Sequence, residues 1–316
     1  MSGRHDAAGQ RALTTGAATL AVLCSALGFS TIAIGTVIAT RDGTALSTVV
    51  LGRFLLGAAV LFPLAGGRRG LALGRDHATR ILLWGGTGQA LINLLNLSAL
   101  AYLPAATVVF LFYTFPAWVA VIAALRGTER VGPMRAVALL LSLVGIVVIL
   151  GAPDAGVISP LGASLSLAGA FVYALYIPLL RQLQVGTTAP VAIFYIALGT
   201  AVSMLAYGAM RGELTWQLSP PTLGAIVWLA LVPTVVAMQL FLRGLETLGP
   251  VRTAIISTAE PFCAALLAAV ILDQPVTAST VVGGALIAAA VLLLQRPDAG
   301  RMDDRVTTRG GGPAAA

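Results

Sequence analysis

Two ionisable residues stand inside long apolar stretches of the chain: Glu260, in a run that ends near Leu272, and Arg53, in a run from 45 to 65. A charge at the centre of a bilayer costs ~2.5–3.5 kcal/mol or more, so such residues are functional candidates from the outset. Two chemistries are open to Glu260: a carboxylate that takes up a proton or a cation in a transport cavity, or a structural carboxylate, protonated or paired, that ties helices together. Its neighbour Pro261 frees a backbone carbonyl one turn earlier. Arg53 offers a choice between holding a substrate carboxylate and cross-bracing the bundle, and cross-bracing is the expected role. The two lie at similar depth counted from opposite sides, which motivates a direct Arg53–Glu260 pair; charged groups more than ~6 Å apart would remove it.

Uncharged polar residues mark out helix faces. Gln89, Asn93 and Asn96 recur at i, i+4, i+7, and Thr253, Ser257 and Glu260 repeat that spacing. Each trio makes one polar stripe. Lipid would leave these groups unsatisfied, so the stripes must face protein or water. Cavity lining is the expectation, and interhelical hydrogen bonds worth ~0.6 kcal/mol each are the alternative. Tyr113, Tyr173 and Tyr176 lie deep enough either to offer a solute a hydroxyl and an aromatic face or simply to pack. Trp84 and Trp228 fall near span ends, where anchoring at the interface is expected. Pro116 and Pro261, in or near helix interiors, are candidate hinges. Cys24 and Cys263 are isolated in apolar runs, so neither a disulfide nor a metal site is expected.

The elements that must hold these residues follow from composition. The 316 residues are 58% hydrophobic and only 10% charged, against roughly 25% charged in a soluble domain. A water-soluble enzyme and a disordered chain are both excluded. Apolar runs long enough to cross ~30 Å of hydrocarbon fall near 17–39, 45–65, 80–100, 105–125 and 134–151, then 160–182, 190–210, 222–242, 250–272 and 278–295. The expected fold is therefore all-α and integral to a membrane, with ten transmembrane helices. The first run is too long for a signal peptide and is read as a retained helix. Every basic residue is arginine, and with both termini cytoplasmic, sixteen arginines lie inside while only Arg41 and Arg211 lie outside. The net charge of +7 is thus a topology signal rather than a nucleic-acid footprint. The expected location is the cell membrane, multi-pass, with 1–16 and 296–316 as cytoplasmic segments.

An offset of 145 residues brings Pro116 onto Pro261, Leu100 onto Leu245 and Leu103 onto Leu248. Five spans per half is an odd number, so the halves, 17–151 and 160–295, must be inverted relative to each other. Inverted repeats are a common architecture of secondary transporters, with the substrate site between the halves. The segments Ala99-Leu100-Ala101-Tyr102-Leu103, Phe115-Pro116 and Thr128-Glu129-Arg130 resemble the repeat of EamA-type permeases of the drug/metabolite transporter superfamily. Thr258-Ala259-Glu260-Pro261 through Leu272-Asp273-Gln274-Pro275 to Gly283 is similar to the second such repeat. The resemblance covers roughly 17–295 and implies a ten-helix carrier of small organic solutes working by alternating access. Two departures, Gln274 where the family commonly has glutamate and Ala138 where it often has glycine, read as loop variation.

An intramembrane enzyme would need a concentrated catalytic constellation. No HExxH, no paired aspartates and no Ser/His couple stands within a span, and His5 and His77 fall in polar segments where a solvated role is expected. A channel or receptor is the other alternative, although no filter segment stands out. The substrate expected is a small organic metabolite, an amino acid or a modest drug, rather than a polyanion. The expected partners are that solute, the lipid bilayer and a proton as coupling ion. No cofactor is expected, and the oligomeric state stays open.

Overall fold

A computed structural model describes residues 14–125, 133–151, 159–257 and 259–294. Among them the chain is helical, with no strand. The elements are α1 (Thr15–Thr40), α2 (Leu46–Leu64), α3 (75–101, regular from Arg75–Arg80, π-helical over Ile81–Gly85, then Gly86–Ser98 and a last tight turn Ala99–Ala101), α4 (Ala105–Phe112) and α5 (Phe115–Leu125). They continue as α6 (Pro133–Gly151), α7 (Pro160–Gln184), α8 (Ala189–Arg211), α9 (220–257, π-helical over Ala230–Ala237), α10 (Glu260–Leu272) and α11 (Ala278–Leu294). Five stretches, Thr15–Thr40, Leu46–Leu64, Pro160–Leu180, Ala189–Arg211 and Pro220–Phe241, are long and apolar enough to cross a membrane.

The 145-residue offset holds at element starts: α1 and α7, α3 and α9, α5 and α10, and α6 and α11 each begin that far apart. The caps follow it too. Thr14 Oγ1 accepts from the Ala17 N–H and Ser159 Oγ from the Gly162 N–H, both at 3.3 Å, satisfying first-turn donors of equivalent helices. The π-helical turns fall in the equivalent helices α3 and α9.

Two expectations are corrected. The fourth span is not one helix: it stops at Phe112 and restarts at Phe115, with Tyr113 and Thr114 between. No break divides 222–242 from 250–272 either, because the helix Met238–Ser257 continues through 243–249. Arg243 and Glu246 mark where the chain becomes polar. Polarity reports depth, whereas a helix ends only where its i→i−4 ladder does.

Eight rods, counting α4 and α5 as one, pack in a ring: α1, α9, α2, α8, α3, α7, α4/α5, α10 and back to α1, with α6 and α11 paired outside it. Exchanging each element for its repeat equivalent maps this order onto itself. The neighbours α1 and α9 become α7 and α3, while α2/α8, the α4/α5 rod with α10, and α6/α11 are self-paired. Gly162 at the start of α7 packs on Tyr102 and Leu103 beyond the end of α3. The end of α1 lies at that same end of the bundle, where Thr40 and Tyr102 bound one cleft. Equivalent helices α1 and α7 therefore run in opposite directions. A close approach joins α3 to α8, where Gly86 lies against the backbone of Gly199 and neither position has room for a side chain.

Candidate functional site

Both halves interrupt a helix at the same place in the repeat, and the two interruptions meet. Tyr113 occupies the break between α4 and α5; Glu260 opens α10 just after the break that follows Ser257. The Tyr113 hydroxyl lies 2.7 Å from Glu260 Oε2 and 3.1 Å from the Ser257 carbonyl oxygen. It has one proton and two acceptors. An ionised Glu260 takes that proton in a charge-assisted bond; a protonated Glu260 instead donates to Tyr113, whose own proton then turns to the Ser257 carbonyl. The pair is thus a two-position relay between a carboxyl group and a free helix-end carbonyl. Around it stand Phe115, with ring centroid 5.8 Å from that of Tyr113, and Tyr173, 4.8 Å from Phe115 and 5.3 Å from Phe112.

The prolines act differently from the expected kinks. Pro261 is in the first turn of α10, where its missing N–H costs nothing. Pro116 holds the same second place in α5. The helices are broken and restarted rather than bent. Ser257 Oγ and Thr253 Oγ1, one and two steps up the stripe from Glu260, are buried without partners, which leaves donors free for a solute or water.

The third-span stripe divides. Asn93 is buried and its Nδ2 donates back to the Gln89 carbonyl at 2.7 Å, within its own helix. Asn96 Oδ1 lies 3.1 Å from Ser166 Oγ, which also lies 2.9 Å from the Val108 carbonyl, so Ser166 of α7 stands between Asn96 of α3 and the backbone of α4. Tyr176 donates to the Gly85 carbonyl at 2.8 Å, in the π-helical turn of α3, while its ring fills the space beside Gly88. The structure gathers Tyr113, Tyr173, Ser257 and Glu260, and leaves Asn96 and Tyr176 holding helices together.

Arg53 belongs elsewhere. Its Nε donates to Thr234 Oγ1 at 2.8 Å, in the π-helical turn of α9, where Thr234 itself donates to the Leu229 carbonyl five residues back. No ion pair joins Arg53 to Glu260, and the direct pair expected from equal depth is not formed. Depth fixes height but not the wall of the ring on which a residue stands.

Three roles were missed in the sequence. Gln274 is not loop variation: its Oε1 accepts from the Ala105 N–H at 2.9 Å, capping α4 from the other repeat. Half-buried His77 is not simply solvated, since its Nε2 lies 2.8 Å from the Leu183 carbonyl. Asp42 receives the Thr44 N–H at 3.1 Å and the hydroxyls of Thr44 and Thr222 at 2.7 and 2.8 Å. The hydroxyls of Ser219, Thr44 and Thr222 hold its carboxyl well below the usual carboxylate range. Trp228 is half exposed and donates to Thr31 at 3.1 Å, and Trp84 is exposed. Cys24 and Cys263 are free thiols. His5, Thr128, Glu129 and Arg130 lie outside the described residues.

A helical ring of two repeats with interrupted helices meeting at a carboxylate defines a membrane transporter fold, and comparison with known proteins agrees. The EamA-like transporter family model matches twice, at residues 16–151 and 160–296, and the chain belongs to that family. A curated relative, the uncharacterized inner membrane transporter YicL of Salmonella typhimurium, is 28% identical over 202 residues, 63% of this chain. The matched region spans 66% of that relative's length. One crystal structure superposes with a TM-score of 0.62 at 22% identity, over 93% of this chain and 99% of its own, and supports the fold. The chain is thus an EamA-type member of the drug/metabolite transporter superfamily, with several helices long and apolar enough to cross a membrane.

Proposed function

We propose that the protein is a secondary carrier that moves small organic solutes by alternating access, with ten crossings arranged as two inverted halves and both termini cytoplasmic. The observation that carries this reading is the meeting of the two helix breaks at Tyr113 and Glu260. Broken helices at the interface of two repeats place polar backbone and a carboxyl group at the bundle's middle, where a solute must pass. Glu260 is the coupling group: it takes up a proton on one side and releases it on the other as the solute binds. The Tyr113 relay reads its protonation state and passes it to the end of α9. Thr253, Ser257 and Tyr173 line the solute's path on this wall, Gln89 and Asn93 on the facing one. Amino acids and similar amphipathic metabolites or drugs suit a lumen with few charges better than polyanions do.

The test is flux in proteoliposomes under an imposed pH gradient, using a panel of amino acids, nucleobases and cationic dyes. Saturable, gradient-driven transport that Glu260→Gln abolishes while solute exchange survives supports the reading. Gradient-independent flux equal in both proteins removes proton coupling, and flux without counterflow makes the protein a channel.

A further inference from the structure

The guanidinium of Arg53 is only partly satisfied. Nε is held by Thr234, but Nη1 is buried without a partner, and the residue as a whole is 6% exposed. The ion pair found among the described residues joins Arg211 to Glu213, far from this position in the chain. The guanidinium also rests on the Phe54 ring, whose centroid is 4.9 Å from Cζ, but a ring supplies no net charge, and a buried guanidinium without counter-charge is destabilising, so its presence calls for something that supplies the charge.

The position lies beneath an opening. The ends of α1 and α3 and the start of α2 bound a cleft of about 460 Å³, lined by Thr36, Thr40, Arg41, Leu46, Leu97 and Tyr102 among others. In the ring order α9 stands between α1 and α2 and α8 between α2 and α3, yet α1 and α3 each also touch α2 directly, and the cleft bounded by these three lies on the inner side where they do so. Leu46 and Arg53 are seven residues apart, two turns on one face of α2, which sets Arg53 ~10 Å below the cleft wall. Val50, one turn from Arg53, and Leu97 pack in one apolar cluster with Leu46 and Leu100, and Leu46, Leu97 and Leu100 also line the cleft. No acidic residue lines the cleft, and its charged residue is Arg41.

We propose that Arg53 anchors an anion site in the lumen, across the ring from Glu260, which takes the carboxylate of a small organic solute admitted through the Arg41 cleft. Thr234 fixes the orientation of the planar fork, and the free Nη1 edge offers the donor geometry that a carboxylate matches. The inference rests on the carrier reading in treating the lumen as a solute path; its test does not depend on flux.

The experiment is thermal unfolding of the purified full chain in detergent at constant ionic strength, with sodium benzoate, benzamide and benzylammonium as probes sharing one ring and differing in charge. Benzoate is expected to raise the melting temperature saturably by ~3 °C or more, and the other two to leave it unchanged. Arg53→Gln should lose the benzoate shift, while Glu260→Gln and Arg41→Gln keep it. Should Arg53→Gln fail to fold, Arg53→Lys serves instead and should weaken benzoate at least ~10-fold, since an ammonium lacks the fork. No benzoate shift in the wild type, an equal shift with benzamide, an undiminished shift in the Arg53 variants, or a shift lost only in Arg41→Gln overturns the proposal. Benzoate binding through Arg53 in a protein that carries nothing would sink the carrier reading alone, and Glu260-dependent flux without benzoate binding would sink this one alone.

Discussion

In the first half the chain restarts its broken helix with Phe115-Pro116; at the equivalent place in the second half it restarts with Glu260-Pro261. Arg53 of α2 corresponds to Leu198 of α8, and Thr31 of α1 to Tyr176 of α7. Those last two do the same job with different chemistry: Thr31 accepts from Trp228 of α9, and Tyr176 donates to Gly85 of α3, so each binds its helix to the equivalent neighbour. The halves share caps, breaks, π-helical turns and ring neighbours, yet only one half carries a carboxyl group at its break and only the other a guanidinium in the interior of its second helix. Backbone features set by helix geometry repeat because they ask only for a capping hydroxyl or an apolar side chain. Charge does not repeat, because one buried ion costs several kcal/mol and a second copy would double that cost without a second use.

The largest expected effect tests that asymmetry directly. Glu260→Gln should lower gradient-driven flux ~100-fold or more, close to 2.7 kcal/mol, whereas Phe115→Leu at the equivalent break should stay within ~3-fold. Equal losses at both breaks in the proteoliposome assay would mean that the two positions share a structural duty. Next comes the packing of the halves. A methyl group at Gly86 would run into the backbone of Gly199, which cannot yield, while one at Gly52 would meet only the side chain of Ile226, at 3.0 Å. Gly86→Ala should therefore cost ~2 kcal/mol and Gly52→Ala less than ~1 kcal/mol, read from unfolding midpoints in detergent. Smaller again is Tyr113→Phe, which keeps the ring against Phe115 and removes the relay. Flux should fall ~10-fold, or about 1.4 kcal/mol, at unchanged melting temperature; flux at the wild-type level would show that Glu260 works without Tyr113.

Much of this scaffold was legible in the sequence because membrane burial writes itself into composition. The apolar runs located most helices to within a few residues, and the Pro116/Pro261 match revealed the offset that the helix starts obey. The stripe of Thr253, Ser257 and Glu260 was visible as spacing alone. The partners of those residues were not. Tyr113 and Glu260 are 147 positions apart, and no local pattern says which wall of a ring a residue will occupy. For that reason Arg53 was paired by depth with Glu260, when Thr234 on α9 is what holds it. Gln274 was misread for a related cause: the donor it caps, the Ala105 N–H, exists only once another segment ends its turn beside it.

The two ends of the bundle supply the finest comparison. At one end Thr222, at the start of α9, donates to the Ala39 carbonyl and to Asp42 beyond the end of α1. At the other, His77 at the start of α3 lies against the Leu183 carbonyl near the end of α7, and 77 and 222 are themselves repeat equivalents. The tethers match, but Asp42 corresponds to Thr187, whose hydroxyl is buried without a partner. One tether thus ends on a carboxylate and the other on a backbone carbonyl. Because the hydroxyls of Ser219, Thr44 and Thr222 hold the folded Asp42 carboxyl below its unfolded value, its contribution is present above the unfolded pKa of ~3.9 and is lost as pH falls through the folded one. Wild type should accordingly unfold at a slightly higher temperature than Asp42→Asn from neutral pH down to about 4, with the difference shrinking below that. A difference that persists unchanged at pH 3 would mean that Asp42 holds the loop by shape and not by charge.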